Sequence, residues 1–241
     1  MPSELLTERH GAVLVLTLRE PGALNRLSQQ LVAAFAEALD VADGDPGVAC
    51  IVVRGDGSNF CTGADLGGFP DADAADGTSD LLSGVDHLLE ALQVFPKPVL
   101  AAVEGAAAGS GFALAMGCDL VVAARDAQFA LSFGTGQPAQ AGAVWQLSRA
   151  VSSPLLQQMV WLGEPVDAAR LHACGLVGWV CDSGRTLAEA LRIADRLAAT
   201  PAGRLAAGKE LVQEARRQAV RRPLGGPQEP ADALSRFDRP A

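Results

Sequence analysis

Apolar and polar positions alternate between two rhythms along the first half of the chain. Residues 13–18 and 48–54 are short apolar runs rich in β-branched side chains, the mark of buried strands. Between them, Leu31, Phe35, Ala38, Leu39 and Ala42 recur at helical spacing, and Ser28 stands where an N-cap belongs, so residues 28–42 read as a helix. Strand, helix and strand within about forty residues predict a βαβ crossover and a parallel sheet. Residues 55–80 are rich in Gly and Asp and read as a loop or mobile segment. A second helix is expected over 81–94, stopped by Pro96 and Pro98. A strand at 99–103 runs into a glycine turn at 105–111, residues 112–117 open a helix, and 120–124 return as a strand.

Beyond Phe129 helical patterns dominate: 144–150, 154–162, 167–174, 187–199 and 202–221, with one short strand at 177–181. The pattern divides the chain into an α/β core (1–140), a helical C-terminal part (141–221) and a Pro/Gly-rich tail (222–241). His87 on the second helix is expected to be partly buried, and His172 and Cys174 read as core or surface positions.

Composition narrows the functions. The 241 residues are 49% hydrophobic, which excludes intrinsic disorder, and the net charge of −9 lacks the basic footprint of a nucleic-acid binder. Five cysteines form no CxxC pair and three histidines lie apart from them, so no metal site is expected. The apolar run at 13–18 is too short for a signal peptide and follows acids, and 127–148 is too polar for a membrane span. A cytoplasmic protein with no membrane partner is the expectation.

Two strand-to-loop junctions carry the candidate chemistry: Phe60-Cys61-Thr62-Gly63-Ala64-Asp65-Leu66, and Gly105-Ala106-Ala107-Ala108-Gly109-Ser110-Gly111-Phe112. Side by side, their backbone amides would form an oxyanion hole. The second is no dinucleotide fingerprint, because Leu114 stands where the third glycine belongs, and it lacks the Gly-Lys-Ser/Thr of a phosphate loop. Ser110 as a hydrolase nucleophile is an alternative, although Ala108 and Phe112 replace the glycines of that elbow.

Taken in order, these elements resemble the crotonase superfamily, the enoyl-CoA hydratase/isomerase group. Asn25-Arg26-Leu27-Ser28, residues 60–66, Pro96-Lys97-Pro98 through Gly105, Gly109-Ser110-Gly111, Cys118-Asp119-Leu120, residues 162–168 and Gly175-Leu176-Val177 carry the likeness, over roughly 12–210. The resemblance implies a spiral ββα fold, a homotrimer or hexamer, and a coenzyme A thioester as substrate or ligand, with no permanently bound cofactor. It implies an oxyanion hole from the amides of Ala64 and Ser110, the latter where relatives usually carry Gly. CoA contacts would fall to Arg26, Leu27, Thr62, Ala64, Asp65 and Leu66, with Arg26 as a phosphate partner. Phe69, Phe133, Gln140 and Trp145 would line the acyl pocket.

The departures concern acids. The two glutamates of the hydratases correspond to Ala113 and to Phe133 or Ser132. The aspartate of an isomerase branch corresponds to Gln140. All three positions lack an acid, each such group contributing roughly 10²–10⁴ in rate. Asp71, Asp73, Asp76 and His87 are candidate replacements, and Glu104, where relatives have Asn, fits hydrogen bonding better than chemistry. The altered ending bears on whether Lys209 meets CoA. Two readings follow: a hydratase/isomerase-like enzyme with an unidentified acid/base, or a non-catalytic acyl-CoA-binding protein of the same family.

Overall fold

The computed structural model describes residues 3–20, 22, 24–66, 74–131, 144, 147, 148 and 151–220. Its first layer is a six-stranded sheet in the order β1-β2-β3-β4-β6-β9. The strands are β1 (Glu4–His10), β2 (Val13–Arg19), β3 (Cys50–Gly55), β4 (Val99–Val103), β6 (Leu120–Ala124) and β9 (Trp179–Cys181). Within this sheet only the β1–β2 pair is antiparallel, a hairpin in which Glu4 faces Arg19 and His10 faces Val13. The four pairs from β2 across to β9 are parallel. A small second sheet, order β5-β7-β8, joins β5 (Ala106–Ala108), β7 (Gln128–Ala130) and β8 (Val166–Asp167).

Helix α1 (Gln29–Gly44) is the predicted crossover between parallel β2 and β3, and Ser28 caps it by accepting from Leu31 N–H at 3.2 Å. The other helices are α2 (Ala74–Val94), α3 (Ser110–Gly117), α4 (Ser153–Leu162), α5 (Ala168–Ala173), α6 (Thr186–Ala198) and α7 (Ala202–Val220).

Alternation along the parallel strands sends side chains to two covered faces, which is why these runs are apolar almost without interruption. Leu16, Leu18, Ile51, Val53, Val99, Ala101, Val103, Val121 and Ala123 enter the larger core with Phe35 of α1, Leu88 of α2 and Phe112 of α3. Val13, Val15, Cys50, Val52, Leu100, Ala102 and Val122 face the other way, onto Ala190, Ile193 and Ala194 of α6.

Five elements differ from the expectation. Helix α2 begins at Ala74, so residues 55–80 are not loop throughout; its added turns carry Gly77 and polar residues, which show no apolar stripe. Strand β1 is exposed along most of its length and gives no period-two signal. β5, three alanines, carries no β-branched residue, and it forms within what reads as a glycine turn. β7 and β8 are three and two residues long. His87 is exposed on α2 rather than partly buried. The expected helix at 144–150 and the tail at 222–241 fall largely or wholly outside the described residues.

Candidate active site

The site forms where two connections leave the ends of parallel strands. The first runs from β3 to Leu66, and its path is set by a buried asparagine. Asn25 holds a positive φ of 50°, a conformation that Asn tolerates better than most residues. Its Nδ2 donates to the carbonyls of Asp56 (2.9 Å) and Asn59 (2.8 Å), and its Oδ1 accepts from Glu20 N–H at 3.2 Å. Asn59 Oδ1 in turn accepts from Ala106 N–H at 3.0 Å. Two asparagines therefore stitch the β2 exit, the 56–60 turn and β5 together. The sequence pattern marked Asn25 only as part of a motif and did not single out Asn59; a buried Asn beside a Gly-rich turn is the signal that was available.

Cys61 then pairs with Ala107 of β5: its N–H donates to Ala106 O (3.1 Å), and its carbonyl accepts from Ala108 N–H (2.9 Å). Three residues on, the pairing changes sides. Gly63 O accepts from Leu27 N–H (2.8 Å), and Asp65 N–H donates to Leu27 O (2.9 Å). In the trans peptide joining Gly63 to Ala64 the carbonyl faces Leu27, so the Ala64 N–H faces the opposite side, toward β5.

The second connection is tighter. β4 passes through Gly105 into β5, and Gly109 follows with φ 52° and ψ −122°, a region only glycine adopts freely. Gly109 O accepts the first helical bond from Ala113 N–H at 3.0 Å. Across the same peptide the Ser110 N–H therefore points back out of the N-terminus of α3. Ser110 itself has no positive φ. The unusual dihedral belongs to Gly109, so a residue with a Cβ is accommodated at 110 and the amide is kept.

The two connections touch. A Cβ on Gly63 would lie 3.9 Å from Ser110 N and 3.3 Å from Ala108 O, and a Cβ on Gly109 would lie 3.9 Å from Gly63 Cα. Among the described residues neither the Ala64 nor the Ser110 amide has a hydrogen-bond partner. Two free donors on adjacent segments, beside a helix N-terminus, form an arrangement that can bind and polarise a single oxygen.

Around them the charges are already paired. The Arg26 guanidinium bonds the Glu20 carboxylate through Nε and Nη2, with Nε–Oε1 3.0 Å, and reaches Asp65 Oδ1 at 2.8 Å. Burial pushes the Glu20 carboxyl up, but the Arg26 hydrogen bonds and charge outweigh it and hold it below the usual carboxylate range. The expected phosphate partner is thus held by two carboxylates and braces the Ala64–Asp65 turn. Thr62 Oγ1 donates to Leu24 O at 3.0 Å, and Leu66 N–H closes a turn onto Ala64 O.

Ala113 is buried at the third residue beyond Ser110, presenting a methyl. Burial pushes the Cys61 thiol up to about 12, so it packs rather than reacts. Glu104 is not part of the chemistry: its Oε1 accepts from Gly184 N–H, Thr186 N–H and Thr186 Oγ1 at 3.0, 3.2 and 2.7 Å, capping α6 from outside. Lys209 is also occupied. Its ammonium donates to Leu92 O, Lys97 O and Asp119 Oδ2, the last at 2.7 Å. Phe69, Asp71, Asp73, Ser132, Phe133, Gln140 and Trp145 lie outside the described residues, as does the side chain of Asp76.

Comparison with known proteins gives this arrangement of sheet and turns its family. A family model described as "Enoyl-CoA hydratase/isomerase" matches residues 8–225. The 2,3-dehydroadipyl-CoA hydratase of Escherichia coli is 36% identical over 219 residues, covering 90% of this chain and 85% of that protein. The 1,2-epoxyphenylacetyl-CoA isomerase of the same organism is 32% identical over 216 residues, covering 88% and 82%. The crystal structure of an enoyl-CoA hydratase from Polaromonas sp. JS666 superimposes with a TM-score of 0.84 at 38% identity, covering 88% and 84%. The chain belongs to the enoyl-CoA hydratase/isomerase family. Among the described residues, no helix is long and apolar enough to cross a membrane.

Proposed function

We propose that this protein binds an acyl-CoA thioester and stabilises its enolate between the Ala64 and Ser110 amides, without either glutamate of the ordinary hydratases. The reading is carried by one observation: two amides without partners among the described residues, on touching segments, each turned out by a hydrogen bond on the far side of its own peptide. Leu27, Thr62, Asp65 and Leu66 supply the wall along which the CoA portion lies, with Arg26 bracing the turn. The resemblance assigns the acyl pocket to Phe69, Phe133, Gln140 and Trp145, which lie outside the described residues. The buried methyl of Ala113 favours a second reading, an acyl-CoA-binding protein with no turnover. A panel of enoyl-CoA thioesters separates the two: turnover supports the enzyme, saturable binding alone the carrier.

Calorimetry tests what both readings share. A saturated acyl-CoA is expected to bind at least about tenfold more tightly than free CoA or the matching free acid, a difference of roughly 1.4 kcal/mol. Equal affinity for thioester and acid removes the oxyanion hole from the account.

We also propose a homotrimer or hexamer assembled through the helical C-terminal part. Trp161 and Leu162 at the end of α4 are 75% and 64% exposed, and Leu211 and Val212 stand out from α7, apolar surface of the kind that subunits cover. Light scattering at micromolar concentration is expected to give a multiple of the 24.8 kDa chain mass. A monomer mass refutes the assembly.

A further inference from the structure

Ser110 brings more to the site than its amide. The residue is 1% exposed, and its Oγ is a buried side-chain oxygen with no hydrogen-bond partner among the described residues. Buried hydroxyls almost always find a partner within the protein, because leaving one unpaired forfeits its hydration for nothing in return. Ser110 Oγ is closed off in the unliganded protein, so a partner from outside reaches it only as the side chain turns about χ1.

Position says where that partner sits. Ser110 is the first residue of α3, and the Cα–Cβ bonds of a helix tilt toward its N-terminus, so this side chain leans over the end from which its own N–H emerges. No side chain on the same helix face answers it. The residue one turn along is Ala113, a buried methyl. The Ala64 amide, equally unpartnered, lies on the segment touching it. Three donors without partners among the described residues, two amides and one hydroxyl, thus lie on two touching segments of chain.

We propose that the Ser110 hydroxyl is a third donor to the thioester oxygen, making this a three-donor oxyanion site in which one residue contributes both main chain and side chain. The inference rests on the acyl-CoA reading above and deepens it. A hydroxyl bound to the same oxygen strengthens as charge develops there, so it stabilises the enolate more than the ground-state thioester. It moves no proton, and it does not replace the acids missing at 113 and beyond. With no carboxylate on its helix face to compete for it, the hydroxyl is free to turn to the ligand.

Cinnamoyl-CoA, whose conjugated thioester absorbs at longer wavelength when its carbonyl is polarised, is the probe. The wild-type protein is expected to bind it with a red shift. Ser110→Ala keeps the amide and the Cβ, so the expected result is a smaller red shift and roughly tenfold weaker binding, as for loss of one hydrogen bond to a partly charged oxygen. The thermal midpoint of the unliganded variant is expected to be unchanged or higher, because an unpaired hydroxyl has been removed. Ser110→Gly, tested in parallel, is expected to show the same reduced shift. An identical shift and affinity in both variants overturns the proposal, and so does a fall in thermal midpoint with the spectrum unaltered, which makes the hydroxyl structural. Covalent labelling of Ser110 by a fluorophosphonate also overturns it, assigning the hydroxyl a nucleophilic role. Absence of binding by the wild type fails differently: it removes the acyl-CoA reading itself, before any variant is compared.

Discussion

Crotonyl-CoA mixed with this protein is expected to keep its enoyl absorbance, with hydration below that of a two-glutamate hydratase by roughly 10²–10⁴ for each missing group. Adding water across the double bond needs one group to take a proton from the water and another to deliver one to the α carbon. An oxyanion site lowers the energy of the enolate, one donor being typically worth about 2.7–4 kcal/mol, but it transfers nothing. By the resemblance, Ala113 stands at the first acid position and Phe133, Ser132 and Gln140 at the others, and none of these side chains is a carboxylate. Any reaction catalysed here is expected to be isomerisation or another enolate chemistry, served by a group elsewhere. Loss of absorbance at an ordinary hydratase rate refutes this and directs attention to a loop carboxylate such as Asp71. Installing glutamate at both Ala113 and Phe133 is the converse experiment, and it carries the cost of burying a charge at the first of them.

A large effect on the fold near the site is expected from Gly111→Ala. A Cβ at this position falls on the backbone carbonyl of Cys61, which accepts from Ala108 N–H and has no freedom to move aside. Overpacking against main chain costs about 3 kcal/mol. For a chain of this size that corresponds to a fall in thermal midpoint of about 6–12 °C. Because Cys61 and Gly111 belong to the two segments carrying Ala64 and Ser110, thioester binding should be lost in the same variant. An unchanged midpoint with unchanged binding shows that the two segments are less tightly apposed than described.

How much of this the sequence could disclose depends on what kind of residue did the work. Helix α1 announces itself through Leu31, Phe35 and Leu39, and Ser28 caps it as expected. Strands β2, β3, β4 and β6 are legible because both faces are buried, which leaves uninterrupted apolar runs. Strand β1 is not, since an exposed edge strand has no core face to pattern it. The candidate site is harder still. Its donors are main-chain amides, which carry no residue identity, and the pairing of Cys61 with Ala107 joins positions far apart in sequence. The motif order, rather than any periodicity, pointed to Ala64 and Ser110. The Asn25 clamp, the Glu20–Arg26–Asp65 network and the unpaired Ser110 hydroxyl needed coordinates, because each depends on which polar atoms end up facing one another.

Helix α6 lies across the face of the parallel sheet that includes Val13, Val15, Cys50, Val52, Leu100, Ala102 and Val122, and Glu104 fixes its start. As the chain is synthesised, every strand of that face except β9 has emerged long before residues 186–198 exist. The growing polypeptide therefore displays a broad apolar surface whose own cover arrives last. Contacts spanning so much sequence form slowly. Until they do, the half-built sheet is sticky to other chains. The Glu104 carboxylate, at the end of β4, takes three donors that lie some eighty residues downstream, so its bonds form only once that cover is in place.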